Sequence, residues 1–164
     1  MNYHHISKDD MLNGEGLRVV LWVAGCEHHC KNCQNPETHD PKSGIPFDDD
    51  AEHELLASIV KDHIDGLTLS GGDPLFPLNR HEITTLCEGF KKLFPHKTIW
   101  LYTGYTWEQI KDLEVMQYID VLVDGRYVEE LADIKYEWAG STNQRIIDVQ
   151  KSLELNEVVL HKGV

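Results

Sequence analysis

Leu17-Arg18-Val19-Val20-Leu21-Trp22-Val23-Ala24 is an almost unbroken apolar run, and Gly25 and Cys26 follow it directly. A β-prone run without polar alternation predicts a strand buried on both faces, as in a parallel sheet. Asn13-Gly14 supplies a turn ahead of it. The same reading recurs at Leu67-Thr68-Leu69-Ser70, Thr98-Ile99-Trp100-Leu101-Tyr102 and Tyr118-Ile119-Asp120-Val121-Leu122-Val123. Helical spacing separates these strands. Asp48-Asp49-Asp50 offers an N-cap and a negative first turn, and Leu55, Leu56, Ile59, Val60 and Ile64 follow, with Gly66 as the stop. Ile83, Leu86, Cys87, Phe90, Leu93 and Phe94 mark one face of a second helix, and Cys87 on that face reads as a core thiol. Thr106-Trp107-Glu108-Gln109 opens a third with a capping-box pattern. Gln34-Asn35-Pro36 and residues 39–46 lack periodicity. Arg145 to Val149 reads as a fifth strand and Glu157 to Leu160 as a candidate sixth.

Alternation of strand and helix predicts right-handed βαβ units. The expected class is α/β, an incomplete TIM-like βα barrel with a mostly parallel sheet, in one domain spanning 1–164. A full eight-unit barrel takes about 250 residues, and this chain has 164. Four strands run into a glycine, at Gly25, Gly71, Gly104 and Gly125. Glycine there lets backbone approach a ligand closely, and parallel sheets bind ligands at that edge.

Behind the first strand stands Cys26-Glu27-His28-His29-Cys30-Lys31-Asn32-Cys33, a C-x3-C-x2-C spacing. Three thiolates so close can converge on one inorganic centre, leaving one coordination position open. Four readings fit the spacing. One is an iron–sulfur cluster with an open iron, and a second is a structural zinc completed by His28, His29 or His39. The others are a redox pair at Cys30 and Cys33, and three unligated thiols. His28 and His29 read as exposed loop residues or as groups that tune a cluster through hydrogen bonds to sulfur.

The net charge of −13 disfavours nonspecific nucleic-acid binding, which needs basic residues to neutralise phosphate. No apolar run reaches membrane-spanning length. Met1 to His5 carries no basic-then-apolar leader, so the expectation is a cytoplasmic protein with reduced thiols and no membrane or nucleic-acid partner.

The cysteine spacing after a first strand resembles the cluster motif of the radical S-adenosylmethionine (SAM) superfamily. Asn13-Gly14-Glu15-Gly16-Leu17-Arg18 looks like the entry segment of the glycyl-radical activating enzymes, and Ser70-Gly71-Gly72-Asp73-Pro74 like their SAM-binding motif. Thr103-Gly104-Tyr105-Thr106, Asp124-Gly125-Arg126 and Gly140 to Arg145, with the short length, are similar to the activating subunits of anaerobic ribonucleoside-triphosphate reductases.

The resemblance implies a partial barrel of radical SAM type and a 4Fe-4S cluster on Cys26, Cys30 and Cys33. The open iron would take the amino and carboxylate groups of SAM. SAM contacts would fall on Asn32, Cys33, Gln34, Gly71, Gly72 and Asp73, the last through backbone carbonyls or its carboxylate, with no catalytic side chain beyond cluster and SAM. Thr103, Asp124, Asn143 and Arg145 are candidates for lining the site. The implied reaction cleaves SAM reductively and leaves a glycyl radical on the large catalytic subunit of the anaerobic ribonucleoside-triphosphate reductase, with an electron donor such as a flavodoxin. The sequence departs from the superfamily at Asn32, where an aromatic residue commonly precedes the third cysteine. Asn can hydrogen-bond an adenine edge but cannot stack on it. The alternatives are a radical enzyme with a small-molecule substrate and a zinc-stabilised interaction module.

Overall fold

The computed structural model describes residues 1–162. Among them a seven-stranded sheet runs in the order β3-β1-β2-β4-β5-β6-β7. The strands are β1 (Asn2–Asp10), β2 (Arg18–Val23), β3 (Ile45–Pro46), β4 (Gly66–Gly71), β5 (Thr98–Tyr102), β6 (Val121–Asp124) and β7 (Arg145–Asp148). The helices are α1 (Asp49–Ile59), α2 (Arg80–Leu93), α3 (Trp107–Ile110) and α4 (Val149–Leu155). The middle strands β2, β4, β5 and β6 are parallel, whereas β1, β3 and β7 join antiparallel. The fold is mixed α/β, and the sheet stays open, with β3 and β7 at opposite ends.

Side chains alternate across the parallel strands and give the sheet two unlike faces. Val19, Leu21, Val23, Leu67, Leu69, Ile99, Leu101 and Leu122 pack against Leu55 and Ile59 of α1, Ile83, Cys87 and Phe90 of α2, and Trp107 and Ile110 of α3. The opposite face carries Trp100, Val121, Val123 and Ile146, covered by Tyr136, Trp138 and Ala139 of an irregular segment. Helices thus cover one face only. The other is left to loops and to a cavity. No helix among the described residues is long and apolar enough to cross a membrane.

Several boundaries differ from the sequence reading. Helix α1 ends at Ile59, and Gly66 opens β4 rather than closing the helix. The Lys97 ammonium donates to the carbonyls of Ile59, Lys61 and Ile64 at 2.7, 2.8 and 2.9 Å, and so satisfies one acceptor at the helix end and two in the turn that follows it. The capping box at Thr106 and Gln109 is present, but it opens one turn, followed by a 3₁₀ stretch at Glu114–Tyr118. The candidate strand at Glu157 to Leu160 reduces to a bridge between Ile147 and Leu160. Strands β1 and β3 and helix α4 were not expected.

Candidate functional site

The cysteine loop leaves the carboxyl end of β2 and is closed at its base by backbone. Gly25 N–H donates to Thr38 O at 2.7 Å, and Cys26 N–H to His39 O at 3.0 Å. The strand ends cross-link beneath it, with Gly72 N–H on Val23 O at 2.8 Å and Asp73 N–H on Gly25 O at 2.7 Å. Gly71 permits this approach. It has φ +105°, and a Cβ there would lie 2.5 Å from Val23 N and O. Within the loop His29 and Asn32 take left-handed backbone, φ 52° and 53°.

Asp73 is turned inward and is only 1% exposed. Its carboxylate accepts from His28 Nε2 at 2.6 Å, Thr103 Oγ1 at 3.0 Å, Gly104 N at 2.9 Å and Leu75 N at 2.8 Å. With four donors in place it has no capacity left for a ligand. His28 is therefore a buried strut rather than an exposed loop residue; its ring packs edge-on to Tyr105 at 4.5 Å. His29 is exposed.

A cavity of about 730 Å³ opens at this edge of the sheet. Cys26, Cys30, Cys33, Gln34, Gly71 and Gly72 all line it. Thr103, Gly104 and Gly125 add to the wall, whereas Asn143 and Arg145 do not line it. Arg145 instead pairs with Asp124 at 2.6 Å and Glu108 at 2.8 Å, tying β6 to β7 and to α3. Asn32 also lies off the cavity; its Nδ2 donates to Glu129 Oε1 at 2.7 Å. The far wall, from Tyr127 and the 134–140 segment, escaped the sequence reading because that stretch has no periodicity. Its run of Tyr127, Tyr136 and Trp138 was the available signal.

Three cysteines of one loop at one cavity are a donor set that fits an iron–sulfur cube. A cube spreads its three cysteines over three irons. Burial pushes the Cys26 thiol up to about 11, with Asp73, Cys30 and Cys33 adding to the rise and the His28 backbone N–H opposing it. Ligation must displace that proton. Among the described residues two buried side-chain nitrogens lack hydrogen-bond partners, His28 Nδ1 and His39 Nε2, and both residues line the cavity. Buried polar groups are rarely left unpaired, which fits a polar or ionic group resident here.

A family model described as a 4Fe-4S single cluster domain matches residues 12–147. The chain is 48% identical over 146 residues to a protein of Enterobacteria phage T4 named anaerobic ribonucleoside-triphosphate reductase-activating protein, covering 89% of this chain and 93% of that one. Proteins of the same name from Vibrio cholerae and Haemophilus influenzae are 43% and 41% identical over 150 residues, covering 89% of this chain and 97% of each relative. The triple-cysteine loop, the cavity that it enters and these alignments agree: the chain belongs to the 4Fe-4S single cluster domain family and, within it, to the anaerobic ribonucleoside-triphosphate reductase-activating proteins.

Proposed function

We propose that the chain is a radical SAM activating enzyme, folded as one domain over 1–164, whose substrate is the anaerobic ribonucleoside-triphosphate reductase. Cys26, Cys30 and Cys33 hold a 4Fe-4S cluster at the mouth of the sheet, and the carbonyls at Gly71 and Gly72 receive the SAM ammonium. Held by Cys26, Cys30 and Cys33, the cluster would supply the electron for reductive cleavage of SAM, the chemistry by which a glycyl radical would be left on the reductase. The chain's own residues position and shield. The backbone bonds at Gly25 and Cys26 fix the loop, Asp73 and His28 lock it to β4 and β5, and the aromatic segment keeps water from one side. Asn32 acts from outside the pocket, by tethering the loop to Glu129. The open sheet, with helices on one face and the cavity on the other, supports reading the fold as a partial barrel of radical SAM type. The enzyme works in the cytosol and draws electrons from a donor such as a flavodoxin.

The observation that carries the reading is that all three thiols and the Gly71–Gly72 backbone face one cavity at the carboxyl edge of parallel strands. The test is anaerobic incubation of the reconstituted protein with reductant, SAM and the reductase. The expected result is a glycyl-radical EPR doublet on the reductase and release of 5′-deoxyadenosine. Release without a doublet would point to a small-molecule substrate instead.

A further inference from the structure

Glu27 stands in the cysteine loop directly after Cys26, and its side chain is exposed. An exposed glutamate on a loop ordinarily swings free in water or pairs with a cation. This one does neither. The neutral Tyr105 hydroxyl donates to Glu27 Oε1, and among the described residues the carboxylate makes no salt bridge. The loop's lysine, Lys31, faces Glu129 at 3.6 Å instead. An uncompensated negative charge is thus held in place on the loop that carries three thiols.

The tyrosine that holds it is itself fixed. Tyr105 N–H donates to Thr103 Oγ1 at 3.2 Å, and Tyr105 O accepts from Gly125 N at 2.9 Å, which sets the residue between the ends of β5 and β6. Its ring meets His28 on one side, and the Arg80 guanidinium lies over it at 5.4 Å. Arg80 Nε in turn donates to Leu75 O at 2.7 Å. A Cβ on Gly104 would lie 2.5 Å from His28 Cδ2, so the bare backbone before Tyr105 is what admits the imidazole. Burial first, then the bond to Glu27 and the charge of Asp73, hold the Tyr105 pKa above its ordinary value of 10, so the phenol stays the donor. Tyr105 and Glu27 both lie outside the cavity that the thiols share, and line a separate hollow beside it.

A fixed negative charge near an iron–sulfur cluster opposes the addition of an electron and lowers the reduction potential. A cluster that is harder to reduce is the stronger electron donor once reduced, and reductive cleavage of a sulfonium demands a strong donor. We infer that Glu27 sets the reducing power of the cluster through its charge, with Tyr105 as the positioning residue that keeps the carboxylate next to Cys26. This rests on the cluster reading above and deepens it. Without the tether the carboxylate would move into solvent, where water and salt screen it.

The test is a redox titration of the anaerobically reconstituted protein without SAM, at one neutral pH, followed by EPR of the reduced cluster. Glu27→Gln keeps an acceptor for the Tyr105 hydroxyl and removes only the charge. Its midpoint potential is expected to move positive, making the cluster about threefold or more easier to reduce. Tyr105→Phe keeps the ring against His28 and Arg80 but releases the carboxylate, and moves the potential the same way by less. Glu154→Gln removes an exposed charge on α4 and leaves the potential at the wild-type value. A Glu27→Gln potential equal to that of Glu154→Gln overturns the assignment, and a Tyr105→Phe potential equal to wild type overturns the role of Tyr105. A wild-type protein that holds no redox-active cluster overturns the cluster reading itself.

Discussion

At the residue scale the site turns on Asp73. Its neighbours Gly71 and Gly72 are legible in the sequence as a strand-end turn, and Asp73 itself as an acceptor. Its direction is not legible, because that depends on where β5 ends. Thr103 and Gly104 arrive from β5, and His28 from the cysteine loop, and together they claim the carboxylate. In Asp73→Asn an amide N–H₂ faces donors where an acceptor was. The expected loss is about 2–3 kcal/mol in urea unfolding, the cost of a charged buried hydrogen-bond set. Because His28 then loosens, the reconstituted variant should bleach faster in its visible absorption than wild type under identical air exposure. A variant as stable and as slow to bleach as wild type would remove Asp73 from the positioning role. That Cys26, Cys30 and Cys33 come to one place was legible from their spacing, since local chain geometry brings such residues together, and all three line the cavity.

At the element scale Arg18 bolts the parallel strands at the end away from the cysteines. It is 1% exposed, and its guanidinium donates to Thr68 Oγ1, Leu67 O, Thr98 Oγ1, Thr98 O and Glu15 O at 2.8–3.0 Å. No carboxylate is among those partners; burial lowers its pKa to about 10, with Asp65 and Asp120 opposing. Arg18→Met keeps the stem but strands those acceptors. The expected destabilisation is about 3 kcal/mol or more by urea titration; a loss below about 1 kcal/mol would mean that water or rearrangement replaces the guanidinium. Strands β2, β4 and β5 were legible because both their faces are largely buried and most of their residues are apolar. Strand β1, Asn2–Asp10, was not. It lies near the sheet edge, much of it half-exposed or exposed, and its sequence His4-His5-Ile6-Ser7-Lys8 is polar enough to pass for a loop. Helix α4 is a short element whose Asp148 cap, accepting from Lys151 N at 3.1 Å, overlaps the end of β7.

At the scale of the whole molecule, a one-sided sheet leaves a helix-packed core to supply the stability and an open face to bind. The core includes Cys87, fully buried on α2, whose thiol burial pushes up to about 12 while the Lys91 ammonium opposes. An unfolded thiol ionises near 9. The folded pKa is thus the higher one, so the stabilisation is complete below pH 9 and disappears as pH rises toward 12. Tyr102, also raised by burial, acts in the same direction. Urea midpoints should therefore fall across that window, and Cys87→Ala should show a shallower fall; an identical slope would place the alkaline loss elsewhere. The alternation that predicts a parallel βα sheet holds for the middle strands, whereas the antiparallel flanks depend on chain-end pairings that no local pattern encodes. The account as a whole rests on three cysteines gripping a cube with one corner free. The most direct measurement is electron–nuclear double resonance on the anaerobically reduced protein with SAM labelled by ¹⁵N at the amine or ¹⁷O at the carboxylate. Hyperfine coupling of both labels to the cluster is the expected result; a cluster spectrum untouched by SAM, with neither label coupled, would contradict it.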